Sequence, residues 1–591
     1  MSDTVLAASL LIAALREAGV KYIFANLGSD HPAIIEALAI DRERGITTPS
    51  VIICPHEYSA LSAAHGYAAV TGEPQAVFVH TDVGTANLGG AVHNAARSRA
   101  PVFIFAGLTP VTMEGEMPGT RNNIVNHLQD PPDQHAIVRQ YVKWSYDIRT
   151  GRNLPQLVHR GLQLAMSAPA GPVYLTGARE VLAEEVPAPA VAPSRFPTVA
   201  RAPAPTEVVD ELIADLRAAR RPVIVTSYLG RRQDAVASLV TLAERLAVPV
   251  VEFNPEVLNF PHDHRLHLGN NPHPIIAEAD VVVALDTDAP WIPATAQPPE
   301  GAKVYIVNED PLQETIPLWY LPADRLLRAD GGLLLEAMLE RSAGLGEDDA
   351  LIRRAEGFAA EAHEFRTAAA DEALADVSAQ RLTAASVAHV LDGLIDEDTI
   401  VINESISSSR DVWKNVPRRR AGTLFNNRGT SLGWSGGGAL GVKLAHPDRT
   451  VVSFVGDGTF YFTVPSSTYW IADRYGLPVL TIVLDNGGWN ATKNNLQLQH
   501  PGQHADQGDR YWVNLQQSGD LPGIATAAGG AWGRTVADFA ELEDALKTGL
   551  SQVAAGRSAV VAVKLAPISR QPEDALAAAA AEANAVTAAV R

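Results

Sequence analysis

Two apolar, β-branched segments in the C-terminal third of the chain each end at a polar loop. The segment RTVVSFV ends at GDG, residues 456–458, and LPVLTIVL ends at DNGG, residues 485–488. The stretch between them, TFYFTVPSSTYWIADRYG, is long enough for a crossover helix, so we expect two parallel strands. Ligands of open parallel sheets bind at the carboxyl ends of the strands. Asp457 and Asn486 are therefore predicted to lie side by side as oxygen donors that suit Mg²⁺ with a bridging phosphate.

Asp-Gly and Asn-Gly are also ordinary turn formers, so either pair alone predicts only a turn. Both pairs at the ends of adjacent predicted strands favour a site. This layout resembles the cofactor signature of thiamine-diphosphate (ThDP) enzymes. The resemblance implies that Asp457, Asn486 and the main-chain carbonyl of Gly488 are metal ligands, with Gly456 beside the cofactor. The usual signature has two asparagines, whereas here the first of them is Asp485.

The bulk properties of the chain limit what it can be. With 591 residues it is too long for one core, and 47% hydrophobic residues are typical of a globular protein. No window of 18 apolar residues and no signal-peptide pattern is seen, so we expect no membrane partner and a cytoplasmic location. The only cysteine, Cys54, excludes an internal disulfide framework. A net charge of −20 argues against a nucleic-acid partner.

Alternating helical and strand patterns predict three α/β blocks with parallel sheets, of which the central one is Rossmann-like. The first block is a domain at 1–185 with strands in KYIFANLG, PSVIICP, QAVFVHTD, APVFIFAG and GPVYLTG. A Pro/Ala-rich linker at 186–207 follows. The central domain at 208–345 has strands in RPVIVTS, VPVVEFN, ADVVVALD and AKVYIVN, and it lacks GxGxxG. A helical connector at 346–395, a third domain at 396–566 and a helical tail at 567–591 complete the prediction.

Glu57 is the candidate for a second half of the site. It follows an apolar strand and precedes a helix in VIICPHEYSALSAAHGYAAVTG. ThDP enzymes need one carboxylate, apart from the metal, that hydrogen-bonds the aminopyrimidine ring and lets it deprotonate the thiazolium carbon. A glutamate in a first helical turn is also favoured by the helix dipole alone. Together with the GDG signal, the functional interpretation is preferred.

Longer segments extend the resemblance over nearly the whole chain. HEYSALSAAHGYAAVTGEPQAVFVHTDVG is similar to the pyrimidine-binding domain of the benzoylformate decarboxylase and acetolactate synthase group. YVKWSYDIRT, SAPAGPVYLTG, INESISSS and RGTSLGWSGGGALGVKLAHPDRTVVSFVGDGTF resemble benzoylformate decarboxylase. The resemblance implies pyrimidine-binding and diphosphate-binding domains that flank the central one. It also implies a homotetramer whose sites form at the dimer interface, between two chains.

Matched position by position, the resemblance gives roles to further residues. His80 in VHTDVG matches a catalytic histidine, and Ser29 in NLGSDHP matches a substrate-binding serine. Leu432 matches the bulky residue that bends the cofactor. The remaining matches hold the diphosphate or form the wall of the substrate pocket: Ser407, Gly458 and Thr459 for the first group, and Trp489 and Ala491 for the second.

One departure from benzoylformate decarboxylase concerns its second catalytic histidine, in the central domain. No histidine lies between His273 and His363, and Trp291 and Pro293 occupy the matching segment. A decarboxylase that protonates its carbanion promptly needs an acid there. We therefore expect a benzoylformate-decarboxylase-like lyase that acts on a 2-oxo acid and also has carboligase activity, in which the carbanion passes to an aldehyde, ketone or acyl acceptor. An acetolactate-synthase-like carboligase and a 2-hydroxyacyl-CoA lyase are the alternatives. FAD in the central domain has a precedent in acetolactate synthases but no supporting motif.

Two other interpretations are weaker. GWSGG at 433–437 satisfies the GxSxG pattern of a serine hydrolase, which requires a strand directly before Ser435. The preceding NNRGTSLGW is glycine-rich and polar, so it is a poor strand. A non-catalytic relative would have lost Glu57 or the metal ligands, and both are present.

Overall fold

The protein is described here by a computed structural model that covers residues 4–189, 191–346, 348–509, 511–515, 517 and 519–569. It contains three parallel sheets flanked by helices, which confirms the α/β class and the three α/β domains. None of the described helices is both long and apolar enough to span a bilayer. The predicted helical tail lies outside the described residues from residue 570 onward.

The N-terminal domain contains a six-stranded parallel sheet and a short antiparallel pair, β1 with β8. Its elements are β1 (Thr4–Leu6), α1 (Ala7–Glu17), β2 (Tyr22–Asn26), α2 (Pro32–Glu43), β3 (Ser50–Ile53), α3 (Glu57–Thr71), β4 (Gln75–Val79), α4 (Thr81–Asn87), α5 (Gly89–Arg97), β5 (Val102–Leu108), α6 (Val125–Leu128), β6 (Ser145–Ile148), α7 (Leu154–Met166), β7 (Val173–Ala178), α8 (Arg179–Leu182) and β8 (Glu185–Pro187).

The central domain has a five-stranded parallel sheet in the order β10-β9-β11-β12-β13. Its elements, with the long helix that follows, are α9 (Thr206–Ala218), β9 (Pro222–Thr226), α10 (Gln233–Leu246), β10 (Val250–Glu252), α11 (His273–Ile276), β11 (Val281–Leu285), β12 (Lys303–Asn308), β13 (Arg325–Arg328), α12 (Gly331–Arg341) and α13 (Asp349–Ser378).

The C-terminal domain has a second six-stranded parallel sheet. Its elements are α14 (Ala384–Asp392), β14 (Ile400–Glu404), α15 (Ser409–Asn415), β15 (Leu424–Asn426), α16 (Trp434–Ala445), β16 (Val451–Gly456), α17 (Asp457–Phe462), α18 (Pro465–Tyr475), β17 (Leu480–Asp485), α19 (Asn490–Gln499), α20 (His504–Gln507), α21 (Leu521–Gly529), β18 (Trp532–Val536), α22 (Leu542–Ala554) and β19 (Ala559–Lys564).

The two six-stranded sheets have the same topology. Their orders are β3-β2-β4-β5-β7-β6 and β15-β14-β16-β17-β19-β18. In each sheet, the strand that comes first in the sequence lies between the second and the third: β2 lies between β3 and β4, and β14 lies between β15 and β16. This reversal creates a crevice at the carboxyl ends of the first and third strands, where ligands bind. The candidate residues lie around these two crevices: Asn26 to Asp30 and His80 in one sheet, and Ser405 to Ser407 and Asp457 in the other.

Helices α3 and α16 join these two domains through one shared hydrophobic core. Glycines on α16 allow their backbones to approach closely. A Cβ atom at Gly441 would lie 2.0 Å from the carbonyl oxygen of Ala63, and one at Gly437 would lie 2.5 Å from that of Ser59. Because these neighbours are main-chain atoms that cannot move aside, both positions require glycine. The packing fixes the start of α3, where Glu57 lies, against the start of α16.

Candidate active site

Asp457 lies at the carboxyl edge of the C-terminal sheet. Strand β16 ends at Gly456 and pairs in parallel with β17, so the 485–488 loop reaches the same edge, as predicted. Asp457 is 1% exposed, and its Oδ2 has no hydrogen-bond partner within the described part of the chain. Burial, and next the charge of Asp485, raises the pKa of Asp457 to about 7. A buried carboxylate without a partner beside a second carboxylate fits a site that takes a cation.

The neighbouring loop presents further oxygen atoms. Asn486 Oδ1 accepts a hydrogen bond from Gly488 N (3.2 Å), and the Gly488 carbonyl accepts one from Asn490 N (3.1 Å). Each of these oxygens keeps a second lone pair, so both can also ligate a metal. Asp485 does not compete for that role, because Lys564 Nζ lies 2.5 Å from its Oδ2. The residues present therefore fit Mg²⁺ in composition and burial.

The predicted diphosphate and pocket residues surround Asp457. Gly458 and Thr459 are buried in the first turn of α17, and Ser407 is exposed in the turn after β14. The Trp489 ring lies directly on Gly458, where a Cβ atom would be 2.2 Å from its Cζ3. Ala491 is exposed near the start of α19. Trp489 thus packs against the residue that follows Asp457.

Leu432 is positioned by the half-buried Tyr58 and the buried Glu404, neither of which the sequence pattern indicated. Tyr58 Oη donates a hydrogen bond of 2.6 Å to the Leu432 carbonyl. Glu404, 1% exposed, accepts hydrogen bonds from Gly433 N (3.1 Å) and Ser435 N (2.8 Å). These contacts fix the backbone on both sides of Leu432, as a side chain that supports a cofactor requires.

Glu57 is the first residue of α3. This position agrees with both the helix-dipole interpretation and the functional interpretation. Glu57 is 6% exposed, and two amides hold its carboxylate: Asn26 Nδ2 donates to Oε1 (2.9 Å) and Asn87 Nδ2 donates to Oε2 (3.0 Å). Gly84 leaves room beside Oε1, because a Cβ atom there would be 3.3 Å away. The carboxylate is therefore fixed in direction and fits a group that shares a proton with a bound ring.

His80 lies at the end of β4, beside the crevice of the N-terminal sheet. Its Nδ1 is 2.5 Å from Asp30 Oδ1, and its Nε2 is 2.8 Å from Gln129 Oε1. Ser29 is exposed next to Asp30. Asp30 and Gln129 were missed from the sequence. The only available signal for Asp30 was a carboxylate directly after a predicted strand, and Gln129 lies in a loop without a pattern.

The structure shows no direct polar contact between the two groups of candidates. Across the described residues, no hydrogen bond or ion pair joins the Glu57 and His80 group to the Asp457 group. His273, at the start of α11, contacts the Trp291–Pro293 segment, since its Nε2 accepts a hydrogen bond from Ile292 N (3.1 Å). Its Nδ1 lies 2.9 Å from Asn271 Oδ1, so local contacts occupy both ring nitrogens.

The serine-hydrolase interpretation is wrong. Ser435 is the second residue of α16, is 1% exposed, and follows a turn rather than a strand. A nucleophile elbow requires an exposed serine between a strand and a helix.

A second cluster of titratable groups joins the central and C-terminal domains. Glu252 Oε2 lies 3.1 Å from His262 Nε2 and 3.2 Å from His267 Nε2, all buried. His262 Nδ1 accepts a hydrogen bond from Arg418 N (3.3 Å), which leaves the proton of the neutral ring on Nε2, facing Glu252. A metal needs Nε2 without its proton, so this arrangement does not favour a metal. The contact of His262 with the Arg418 main chain links the cluster to the C-terminal domain.

Comparison with known proteins agrees with this architecture. Three family models of thiamine pyrophosphate enzymes match in chain order: the N-terminal TPP-binding domain at residues 6–137, the central domain at 209–318 and the C-terminal TPP-binding domain at 407–563.

Similar proteins include decarboxylases and acetolactate synthases. Benzoylformate decarboxylase of Pseudomonas aeruginosa is 28% identical over 81% of this chain and 85% of its own length. Acetolactate synthase of Bacillus subtilis is 24% identical over 82% of this chain and 81% of its own. A solved 4-hydroxybenzoylformate decarboxylase of Rhodococcus jostii shares the fold, with TM-score 0.76, 22% identity and coverage of 95% of this chain and 99% of that one. The chain therefore belongs to the thiamine-diphosphate-dependent enzymes, within the group of decarboxylases and carboligases.

Proposed function

We propose that the protein is a ThDP- and Mg²⁺-dependent lyase that cleaves the carbon–carbon bond next to the carbonyl of a 2-oxo acid and couples the product to an aldehyde. The observation that carries this proposal is the His80 ring, held between Asp30 and Gln129 beside the crevice that Glu57 also borders. A cationic imidazole at that place can bind a carboxylate substrate.

Two groups of residues would have separate roles, one in binding the metal and the other in proton transfer and substrate binding. Asp457, Asn486 and the Gly488 carbonyl would hold Mg²⁺, which neutralises the diphosphate of the cofactor. Glu57, fixed by two amides, would share a proton with the aminopyrimidine ring. Bound ThDP supplies the electron sink for the bond that breaks. His80 would anchor the carboxylate of the 2-oxo acid through its Nε2, where the carboxylate would replace the neutral Gln129 amide. Trp489 would exclude water from the metal side.

Coupling to an aldehyde is proposed because a second proton donor is not evident. His273 is the nearest histidine to the Trp291–Pro293 segment, and local contacts engage both of its nitrogens. Burial also lowers the pKa of His273, so it is neutral at pH 7. Slow proton delivery would leave time for an acceptor to react.

Product partitioning tests this function. Purified protein with ThDP and Mg²⁺ is given aryl, alkyl and charged 2-oxo acids, with and without an aldehyde acceptor. We expect coupled 2-hydroxy ketone to exceed free aldehyde when the acceptor is present, and His80→Ala to lower turnover by about 10²–10⁴. Free aldehyde as the main product at saturating acceptor would contradict coupling. Preference for a second 2-oxo acid as acceptor would favour the acetolactate-synthase alternative, and cleavage of 2-hydroxyacyl-CoA would favour the CoA lyase.

We further propose that the complete site forms between two chains of a homotetramer, since no described contact joins Glu57 to Asp457. Complementation tests the pairing. Glu57→Gln and Asp457→Ala subunits are each inactive, but a mixed dimer contains one site with neither substitution. Random mixing after dissociation should restore about a quarter of wild-type activity. Activity that stays absent after mixing, with hybrids verified by native mass spectrometry, would place both groups in one chain.

A further inference from the structure

The His80 ring has an acceptor at each nitrogen. Asp30 Oδ1 is 2.5 Å from Nδ1, and Gln129 Oε1 is 2.8 Å from Nε2. Thr81 Oγ1 lies 3.4 Å from the same Gln129 oxygen and orients it by donating a hydrogen bond. A neutral imidazole carries only one N–H and can satisfy one acceptor, whereas the protonated ring satisfies both.

The chain is shaped to bring Asp30 this close. A Cβ atom at Gly28 would lie 2.2 Å from His80 Nδ1, and one at Gly107 would lie 1.3 Å from Asp30 Oδ2. Any larger residue at either position would push the two side chains apart. Asp30 is 3% exposed, and Thr81 N donates to its Oδ2 at 3.3 Å. Burial opposes its charge, but the contacts of its carboxylate with the His31 and His80 rings prevail and hold the pKa of Asp30 below its ordinary value.

The other charged groups around the ring do not replace Asp30. His31 Nδ1 is 3.2 Å from Asp30 Oδ1, but it accepts a hydrogen bond from Gly28 N (3.0 Å), so it has no proton to give to Asp30. Asp82, two residues from His80, acts only through its charge and is the smallest contribution to the raised pKa of His80; the hydrogen bond to Asp30 is the largest. Asp30 is therefore the ionised group that decides the protonation of the ring.

We propose that Asp30 and Gln129 are positioning residues that keep His80 protonated. This inference rests on the proposed function, in which His80 faces the carboxylate of the donor. The protonated ring forms an ion pair with an anionic donor, whereas a neutral 2-hydroxy ketone, the donor of the reverse cleavage, gains nothing from the charge.

The protonation state can be measured without turnover. Diethylpyrocarbonate acylates neutral imidazole, so the acylation rate of His80 against pH, read by peptide mass spectrometry, reports its pKa. The exposed His127 in the same sample is the internal reference. Asp30→Asn keeps the shape of the side chain and removes its charge. We expect the pH midpoint of His80 acylation to fall by about 1–3 pH units. Asp82→Asn, the matched control, should move it far less.

Kinetics then test selection and rescue. At a pH between the two measured His80 midpoints, Asp30→Asn should lower kcat/KM for a 2-oxo acid by about 10- to 100-fold and for a neutral 2-hydroxy ketone by less than about threefold. Gln129→Glu places a new carboxylate on Nε2, so in the Asp30→Asn background it should restore the raised midpoint and the preference for the 2-oxo acid. Gln129 is only half-buried, which makes this substitution compatible with the fold.

The outcomes separate the two proposals. An unchanged His80 midpoint in Asp30→Asn, or equal loss for both donors without rescue by Gln129→Glu, would overturn the inference. If Asp30→Asn lowers the pH midpoint of His80 acylation and Gln129→Glu restores it, but the protein cleaves no 2-oxo acid, the role of Asp30 and Gln129 is supported and the proposed function is rejected.

Discussion

Replacing Asp457 by Asn should stabilise the cofactor-free protein while weakening cofactor binding. The carboxyl ionises near 3.8 when solvated and near 7 in the fold, because it is buried beside Asp485. A pKa that folding raises contributes stability below pH 3.8, and that contribution is lost as pH rises through about 7. At pH 8 the ionised group is therefore a net cost. A difference of about three pKa units corresponds to up to about 4 kcal/mol.

Differential scanning fluorimetry at pH 8 measures both effects. If half of that energy is recovered, Asp457→Asn should raise the apparent Tm of the cofactor-free protein by about 4–8 °C. ThDP with Mg²⁺ should raise the Tm of the wild type markedly and that of the variant little, because the ion loses its charged ligand. Asp473→Asn, an exposed carboxylate on α18, is the control and should change neither value. A lower Tm in cofactor-free Asp457→Asn, or an undiminished gain with ThDP and Mg²⁺, would refute this reasoning.

Three further substitutions test other parts of the structure. Glu57→Gln should still bind ThDP but slow H/D exchange at the thiazolium carbon by about 10² or more, as NMR of quenched samples would show; wild-type exchange would reject the role of Glu57. Gly441→Ala should destabilise the protein by about 1–3 kcal/mol in urea unfolding, because its Cβ would meet the Ala63 carbonyl, whereas Gly357→Ala, with open space on α13, should stabilise by about 0.5–1 kcal/mol. Tyr58→Phe removes the hydrogen bond to Leu432 and should cost about 1 kcal/mol and weaken ThDP binding; unchanged affinity would separate Leu432 from the cofactor.

The predicted strands are continuous apolar runs, whereas most of the strands that the sequence did not predict carry polar or mixed residues. Most of the predicted strands lie inside a sheet, where both faces are covered, whereas β3 and β10 are edge strands. Strands β6, β13, β15 and β18 lie at sheet edges and carry polar or mixed residues, such as SYDI and WGRTV. The interior strand β19, AVVAVK, is also a clear apolar run, but the strands predicted above do not include it.

The identical strand order of the two six-stranded sheets was invisible in the sequence. No sequence repeat connects the two domains, because topology constrains only where strands lie and which faces are covered. Their packing through α3 and α16 was equally hidden. It depends on which backbone atoms approach Gly437 and Gly441, and a glycine-rich segment alone suggested a serine-hydrolase motif instead.

The α/β class, the GDG and DNGG loops at one sheet edge, and the cofactor family could be predicted before folding is considered, because local pattern and motif spacing carry that information. The groups that surround each candidate follow only from the folded chain. Asp30 reaches His80 across 50 residues of sequence, and Asp485 pairs with Lys564 across 79. Such contacts arise where separate strands end at the same edge, so the charge of His80 and the unpartnered oxygen of Asp457 become evident only once the chain is folded.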